Sequence, residues 1–164
     1  MAATENKAIR YGVLAIALAG FWFVLSGFLK TFILAVGALS LVLTMVLMHR
    51  MRTIDKEGVP IQVLPGLVTY LPWLLVEIVK SSWNVSMIIL DPRLPISPTM
   101  VETRPEPTEN VPLAIYANSI TLTPGTITAF AAPDQFTVHA LTGDGADDVL
   151  TGDMGRRVAA IEGA

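Results

Sequence analysis

Residues 61–90 read IQVLPGLVTYLPWLLVEIVKSSWNVSMIIL. Whether this stretch crosses a membrane or lies along one decides the fold. Pro65-Gly66 and Pro72 interrupt its start, so the helical pattern is read from Pro72 onward. Glu77, Lys80, Ser81 and Asn84 fall at i, i+3, i+4 and i+7, on one face. Trp73, Leu74, Ile78, Trp83, Val85 and Ile88 belong to the remainder. The result is an amphipathic helix with a wide apolar face. Lying in the interface, it would turn Glu77 and Lys80 to water or to a partner. Spanning, it would turn the same stripe toward other helices.

Toward the N-terminus the hydropathy rises. Residues 11–29, YGVLAIALAGFWFVLSGFL, and 31–48, TFILAVGALSLVLTMVLM, contain no charge. A spanning helix needs roughly 20 mostly apolar residues, so each stretch qualifies alone and the two together are too long for one span. The break falls between Ser26-Gly27 and Lys30-Thr31, giving a helical hairpin. Lys7 and Arg10 resemble the start of a signal peptide, but no small-residue cleavage site follows, so the first span is expected to be retained. Lys7 and Arg10 precede the hairpin, Arg50, Arg52 and Lys56 follow it, and only Lys30 lies between. The positive-inside rule therefore puts both ends in the cytoplasm. Only Arg93 and Arg104 follow soon after residue 90, a weak basic signal that favours the interfacial reading of 61–90.

Toward the C-terminus the composition reverses. The 164 residues are 52% hydrophobic and 15% charged, with mean hydropathy +0.58, whereas soluble domains carry about 25% charged residues. Residues 1–90 hold seven Lys/Arg against four Asp/Glu, and 91–164 hold four against ten. The acidic half has no electrostatic reason to bind nucleic acid. Prolines at 92, 95 and 98 mark an extended linker. Beyond it the pattern reads strand (100–104), helix (111–119), two strands (127–131 and 136–141) and a final helix (154–161). GDGADDVLTGD at 143–153 reads as an exposed acidic loop, since it lacks both tandem calcium-binding repeats and EF-hand spacing.

The expected fold is thus a membrane protein in four parts. Residues 1–60 form a transmembrane helical hairpin, with spans of about 11–28 and 31–48 and a basic cytoplasmic loop. Residues 61–90 form an amphipathic interfacial or third membrane helix, 91–99 a Pro-rich linker, and 100–164 a small acidic α+β domain compatible with ferredoxin-like order. Domains this small need outside support, here from the membrane helix or from partner proteins.

The stretch NSITLTPGTIT, 118–128, gathers enough polar groups to resemble an active site. Its residues also suit a joint. Asn118-Ser119 can end a helix, and Thr121 to Thr123 extend the chain. Pro124-Gly125 fit the central positions of a type II turn, and Thr126 starts a strand.

Several stretches together are similar to a known family. These are Trp22 with Leu25-Ser26-Gly27; LPWLLVEIVKSSWNV with IILDP and PISPT; and ANSITLTPGTIT followed by FTVHAL. They resemble the E subunit of multi-subunit cation/proton antiporters of the Mrp or Mnh type, from about Trp22 to Leu141. The resemblance implies a small accessory subunit of a multi-pass complex in the bacterial plasma membrane, with a cytoplasmic tail domain. Such a complex exchanges external protons for internal Na+ or K+, and its large subunits are thought to carry the ion pathways. The implied partners are the other membrane subunits and the lipid bilayer.

The residues themselves weigh the same way. The two spans offer only Ser26, Ser40, Thr31 and Thr44 as polar groups, too little for an ion path at depth. Glu77 and Lys80 are the charged candidates for one, and a polar stripe facing headgroups or another subunit is the plainer reading. His49 and His139 have no carboxylate at metal-ligand spacing, and the chain has no cysteine. Neither a metal, a cofactor nor a catalytic nucleophile is expected. Small residues (Gly20, Gly27, Gly37, Ala38 and Ser40) would let the hairpin approach partner helices closely. The rival reading is a membrane-anchored binding or regulatory module.

Overall fold

The computed structural model describes residues 2–54 and 58–162; Lys56, one of the basic residues invoked for orientation, lies outside them. The chain divides between Ile61 and Gln62 into two compact units.

The first unit is the hairpin of α1 (Ala2–Ser26) and α2 (Thr31–Arg50). Helix α1 stops where Gly27 takes φ 61°, a left-handed conformation that terminates helices. Lys30, extended at φ −70° and ψ 139°, opens α2. Inside the hairpin the Trp22 indole rests directly on Gly37, where a Cβ would collide with it. Tyr11 Oη and His49 Nδ1 are hydrogen-bonded at 2.6 Å, and Arg10 Nη1 donates to the Val59 carbonyl at 3.3 Å. Thr44 Oγ1 donates to the Ser40 carbonyl at 2.8 Å, so this hydroxyl is satisfied within its own helix. Side chains such as Ile16, Val24 and Phe32 point outward, fully available to lipid. Residues 8–26 and 31–50 have mean hydropathies of 1.9 and 2.4 and are long enough to cross a bilayer.

A short 3-10 turn at the boundary, Ile61–Val63, leads into α3 (Leu64–Leu90) of the second unit. This helix differs from the sequence reading at its start: it is continuous from Leu64, with Pro72 inside it. Pro65 stands at the first helical turn, where a missing N–H is harmless. Pro72 removes one bond, to the Val68 carbonyl, while Tyr70 and Leu74 on either side are pinned in the domain core. By length and hydropathy (mean 1.5) residues 61–90 also qualify as a span.

After α3 come β1 (Thr99–Thr103), α4 (Asn110–Leu122), β2 (Thr126–Ala132), β3 (Gln135–Ala140), α5 (Gly143–Thr151) and α6 (Asp153–Glu162). The sheet is antiparallel in the order β1-β3-β2, with Val101 opposite Val138 and Ile127 opposite His139. Pairing is irregular between Thr128 and Phe130. Strand–helix–strand–strand–helix with the third strand in the middle is the ferredoxin-like order without its fourth strand. Among the described residues α6 follows instead. Helix α4 packs on β2, α5 on β1 and β3, and α6 on both α4 and α3. Phe136, Val138 and Ala140 alternate into the core, where Phe136 stacks on Tyr116 with ring centroids 5.2 Å apart. Val63, Tyr70 and Leu74 belong to the same core, so α3 supplies part of the interior that a domain this small lacks on its own.

Two expectations are corrected. The acidic stretch after residue 142 is a helix, α5, rather than a loop. Thr142 caps it, accepting from the Gly145 N–H at 3.2 Å, Asp144 lies in its first turn, and Gly152 ends it at φ 69°. Helix α4 likewise does not end at Asn118-Ser119 but runs to Leu122. Asn118 Nδ2 donates back to the Ala114 carbonyl at 2.7 Å, and Ser119 is buried.

The segment joining α3 to β1 is stitched to the domain. Asp91 Oδ1 accepts from the Arg93 N–H at 2.9 Å, and Leu94 turns at φ 43°. The Ser97 N–H donates to the Leu141 carbonyl at 3.1 Å, and Ser97 Oγ accepts from the Gly143 N–H at 2.9 Å.

Candidate functional site

Helix α3 brings its two charged residues together. Lys80 Nζ lies 2.7 Å from Glu77 Oε1, with side chains 62% and 28% exposed respectively. A partly exposed i,i+3 pair contributes about 0.2–0.5 kcal/mol, so it is a weak local tie. The neighbouring hydroxyls turn inward: Ser82 Oγ donates to the Ile78 carbonyl at 2.6 Å and Ser86 Oγ to the Ser82 carbonyl at 2.7 Å. Among the described residues no group of three His, Asp or Glu could hold a metal ion.

The polar stretch from Ala117 to Thr128 forms the end of α4, a turn and the start of β2. Near the end of α4 the threonine hydroxyls bond backbone carbonyls, those of Ser119 and Ile120 in addition to the Thr123 N–H they already accept. Thr121 Oγ1 donates to the Ala117 carbonyl at 3.1 Å. Thr123 Oγ1 donates to that of Ser119 at 2.9 Å. Thr126 Oγ1 reaches the Ile120 carbonyl at 2.7 Å and the Thr123 carbonyl at 3.0 Å. Thr128 Oγ1 donates to the Ala117 carbonyl at 2.9 Å, and its N–H donates to Thr121 Oγ1 at 3.2 Å.

Pro124 and Gly125 sit inside a turn closed by the Thr126 N–H on the Thr123 carbonyl at 3.2 Å. Gly125 has φ 95°, which only glycine adopts without strain. A Cβ there would also lie 3.2 Å from Val85 Cγ2. The Gly125 carbonyl accepts from the Leu141 N–H at 2.8 Å. The hydroxyls of Thr121, Thr123, Thr126 and Thr128 are thus committed to backbone.

Sequence reasoning missed two features. The first is a buried polar contact. Glu106 Oε2 is buried with no hydrogen-bond partner among the described residues. The Glu106 carboxylate fits where Gly152 and Gly155 lack side chains; a Cβ on Gly152 would overlap Oε1 and one on Gly155 would overlap Oε2. Tyr116 lies beside it, its hydroxyl pushed up to about 12 by burial first, then by the Glu106 charge and by Tyr70. The Gly152-x-x-Gly155 spacing was the available signal.

The second is a cleft of about 760 Å³. One wall is the polar stripe of α3, including Glu77, Ser81 and Asn84; the other is the 123–126 turn and the start of α5. At its edge Arg157 lies over the Trp73 ring at 4.5 Å and bonds Asp153 Oδ2 at 2.9 Å. That bond, ahead of other contributions, holds the Asp153 carboxyl below its usual range. Residues from three distant segments build the cleft, so no local pattern announces it.

Residues 15–161 match the family model described as Na+/H+ ion antiporter subunit, MNHE. Among solved structures, the chain is similar to one from the membrane-bound sulfane sulfur reductase, an archaeal respiratory membrane complex. That pair is 28% identical, covers 93% of this chain and 98% of the other, and has a TM-score of 0.71. A chain of the Mrp complex from Dietzia sp. DQ12-45-1b is 20% identical, over 59% of this chain and 89% of that one, at a TM-score of 0.37. The comparison with curated proteins finds no match.

Proposed function

The chain belongs to the family of Na+/H+ ion antiporter subunits, and from that membership we propose that it is an accessory, bracing subunit of a cation/proton antiporter complex in a bacterial plasma membrane. The cation is Na+ or K+. The observation that carries the accessory role is the emptiness of the hairpin. Residues 11–29 and 31–48 contain no ionisable side chain other than Tyr11, at the edge of the first stretch, whereas an ion route needs charged or carbonyl-lined sites at depth. The ions therefore pass through partner subunits. The likeness to a chain of a multi-subunit archaeal membrane complex supports assembly with such partners.

In this reading α1 and α2 span and α3 lies in the cytoplasmic interface. Support comes from the two sides of α3. Tyr70 and Leu74 are buried in the domain core, and Glu77, Ser81 and Asn84 face the cleft, while Val68, Leu75, Val79 and Trp83 are exposed on α3. A helix carrying a polar domain along one side is poorly suited to being ringed by lipid; one apolar side in the headgroup layer suits it. The basic residues flanking the hairpin, Arg10, Arg50 and Arg52, favour a cytoplasmic domain.

The test is purification from native membranes in mild detergent. The chain is expected to co-elute with larger polytopic subunits, and its deletion to abolish cation-dependent proton exchange in vesicles. Recovery as a stable lone monomer, with antiport intact in the deletion strain, would overturn the proposal.

A further inference from the structure

The cleft between α3 and the start of α5 has no part in the function proposed above. Its volume of about 760 Å³ suits a substantial side chain or small-molecule group. Both walls carry polar groups among apolar ones: Glu77, Ser81 and Asn84 from α3, and Asp144, Asp148 and Asp153 opposite them. No Lys, Arg or His lines it. Glu77 is compensated by Lys80, and Asp153 by Arg156 and Arg157. Asp144 and Asp148, both exposed, have no ion-pair partner among the described residues. Between the polar groups lie Val85, Ile88 and Met154. A guest that suits these walls has an apolar stem and a cationic head, the construction of a Lys or Arg side chain.

We propose that this cleft docks a Lys- or Arg-bearing cytoplasmic segment of a partner membrane subunit, a step that rests on the accessory-subunit reading and on the cytoplasmic placement of the domain. Cytoplasmic loops of polytopic membrane proteins carry an excess of Lys and Arg close to the ends of their helices. An interfacial α3 holds the cleft at the level where those loops emerge. A zwitterionic lipid headgroup brings a phosphate along with its ammonium, and the lining offers that phosphate no cationic side chain. Charge complementarity of this kind fixes register and discriminates between partners. It also gives the 123–126 turn a use beyond joining α4 to β2, since Thr123 to Thr126 form part of the wall.

The experiment places a photo-crosslinking amino acid at Ser81 of the full-length chain, in native membranes, followed by purification of the intact complex and peptide mapping. The expected result is a crosslink to a Lys- or Arg-containing loop of a co-purifying subunit. The crosslink is lost when Asp144→Asn and Asp148→Asn are combined and returns with Asp144→Glu and Asp148→Glu. Circular dichroism of the Asn variant checks that the domain remains folded. An assembled complex whose Ser81 probe links to lipid, to this chain alone or to a segment without basic residues overturns the docking proposal and leaves the subunit reading intact. Equal crosslinking in the Asn variant overturns it as well. Absence of any co-purifying subunit sinks the accessory-subunit reading, and this inference with it.

Discussion

Gly125 shows how a single position is fixed twice. Its φ of 95° excludes β-branched residues, and Val85 Cγ2 lies 3.2 Å from where a Cβ would go, a tight approach. Gly125→Val is expected to destabilise the domain by about 1–3 kcal/mol, seen as a lower melting temperature and less subunit in the purified complex. Normal assembly with lost transport would instead assign the turn to the ion path. Tyr116 offers a pH-dependent counterpart. Its folded pKa is raised to about 12 from an unfolded value of about 10. Above pH 10 the unfolded chain loses this proton before the folded one does. Stability present below pH 10 is therefore lost as pH rises toward 12, by about 3 kcal/mol. Denaturant titrations between pH 9 and 12 measure this, and Tyr116→Phe is expected to flatten that part of the profile. Glu77→Gln removes only a weak exposed pair, so antiport and assembly are both expected at wild-type levels. A lost proton-coupled flux with the complex intact would make Glu77 a relay.

Helix α4 begins without a side-chain cap of its own: Glu109, at the cap position, makes no such bond. Glu162, at the end of α6, supplies it from a distance. Its carboxylate accepts from the Thr108 N–H at 2.6 Å, the Glu109 N–H at 2.9 Å and the Thr108 hydroxyl at 3.0 Å. Glu162→Ala is expected to lower stability by about 1 kcal/mol, with Glu162→Gln intermediate; unchanged chemical denaturation would show that the cap adds nothing.

Such long-range ties mark where sequence reading stops. The hairpin was legible because lipid-facing helices need little beyond length and hydropathy, and β3 because burial alternates along it. Helix α5 was hidden by Gly143, Gly145 and three aspartates, which favour loops locally, and the structure sets it by its ends, Thr142 and Gly152. Continuity of α3 through Pro72 depends on a domain more distant in the chain. Spacing placed Glu77 and Lys80 on one face, where they do meet. The cleft opposite them needs Asp144 and Asp148, which no window around Glu77 contains.

For the whole molecule, the membrane arrangement is the decisive quantity. With two spans and α3 in the interface, a C-terminal tag in intact cells is expected to be shielded from membrane-impermeant reagents, and one inserted near Lys30 accessible. An accessible C-terminal tag would make α3 a third span. The fold also has an order in time. Val158 and Ile161, wholly or almost wholly buried, leave the ribosome long after α2, at a synthesis rate of about 5–20 residues per second. The hairpin thus enters the bilayer while the domain still lacks its last core residues. If α3 lies in the interface as proposed, the half-finished interior around Tyr70 and Leu74 is held at the bilayer surface during those seconds. Nascent chains halted before Val158 should therefore resist aggregation but not protease, whereas chains released after Glu162 resist both.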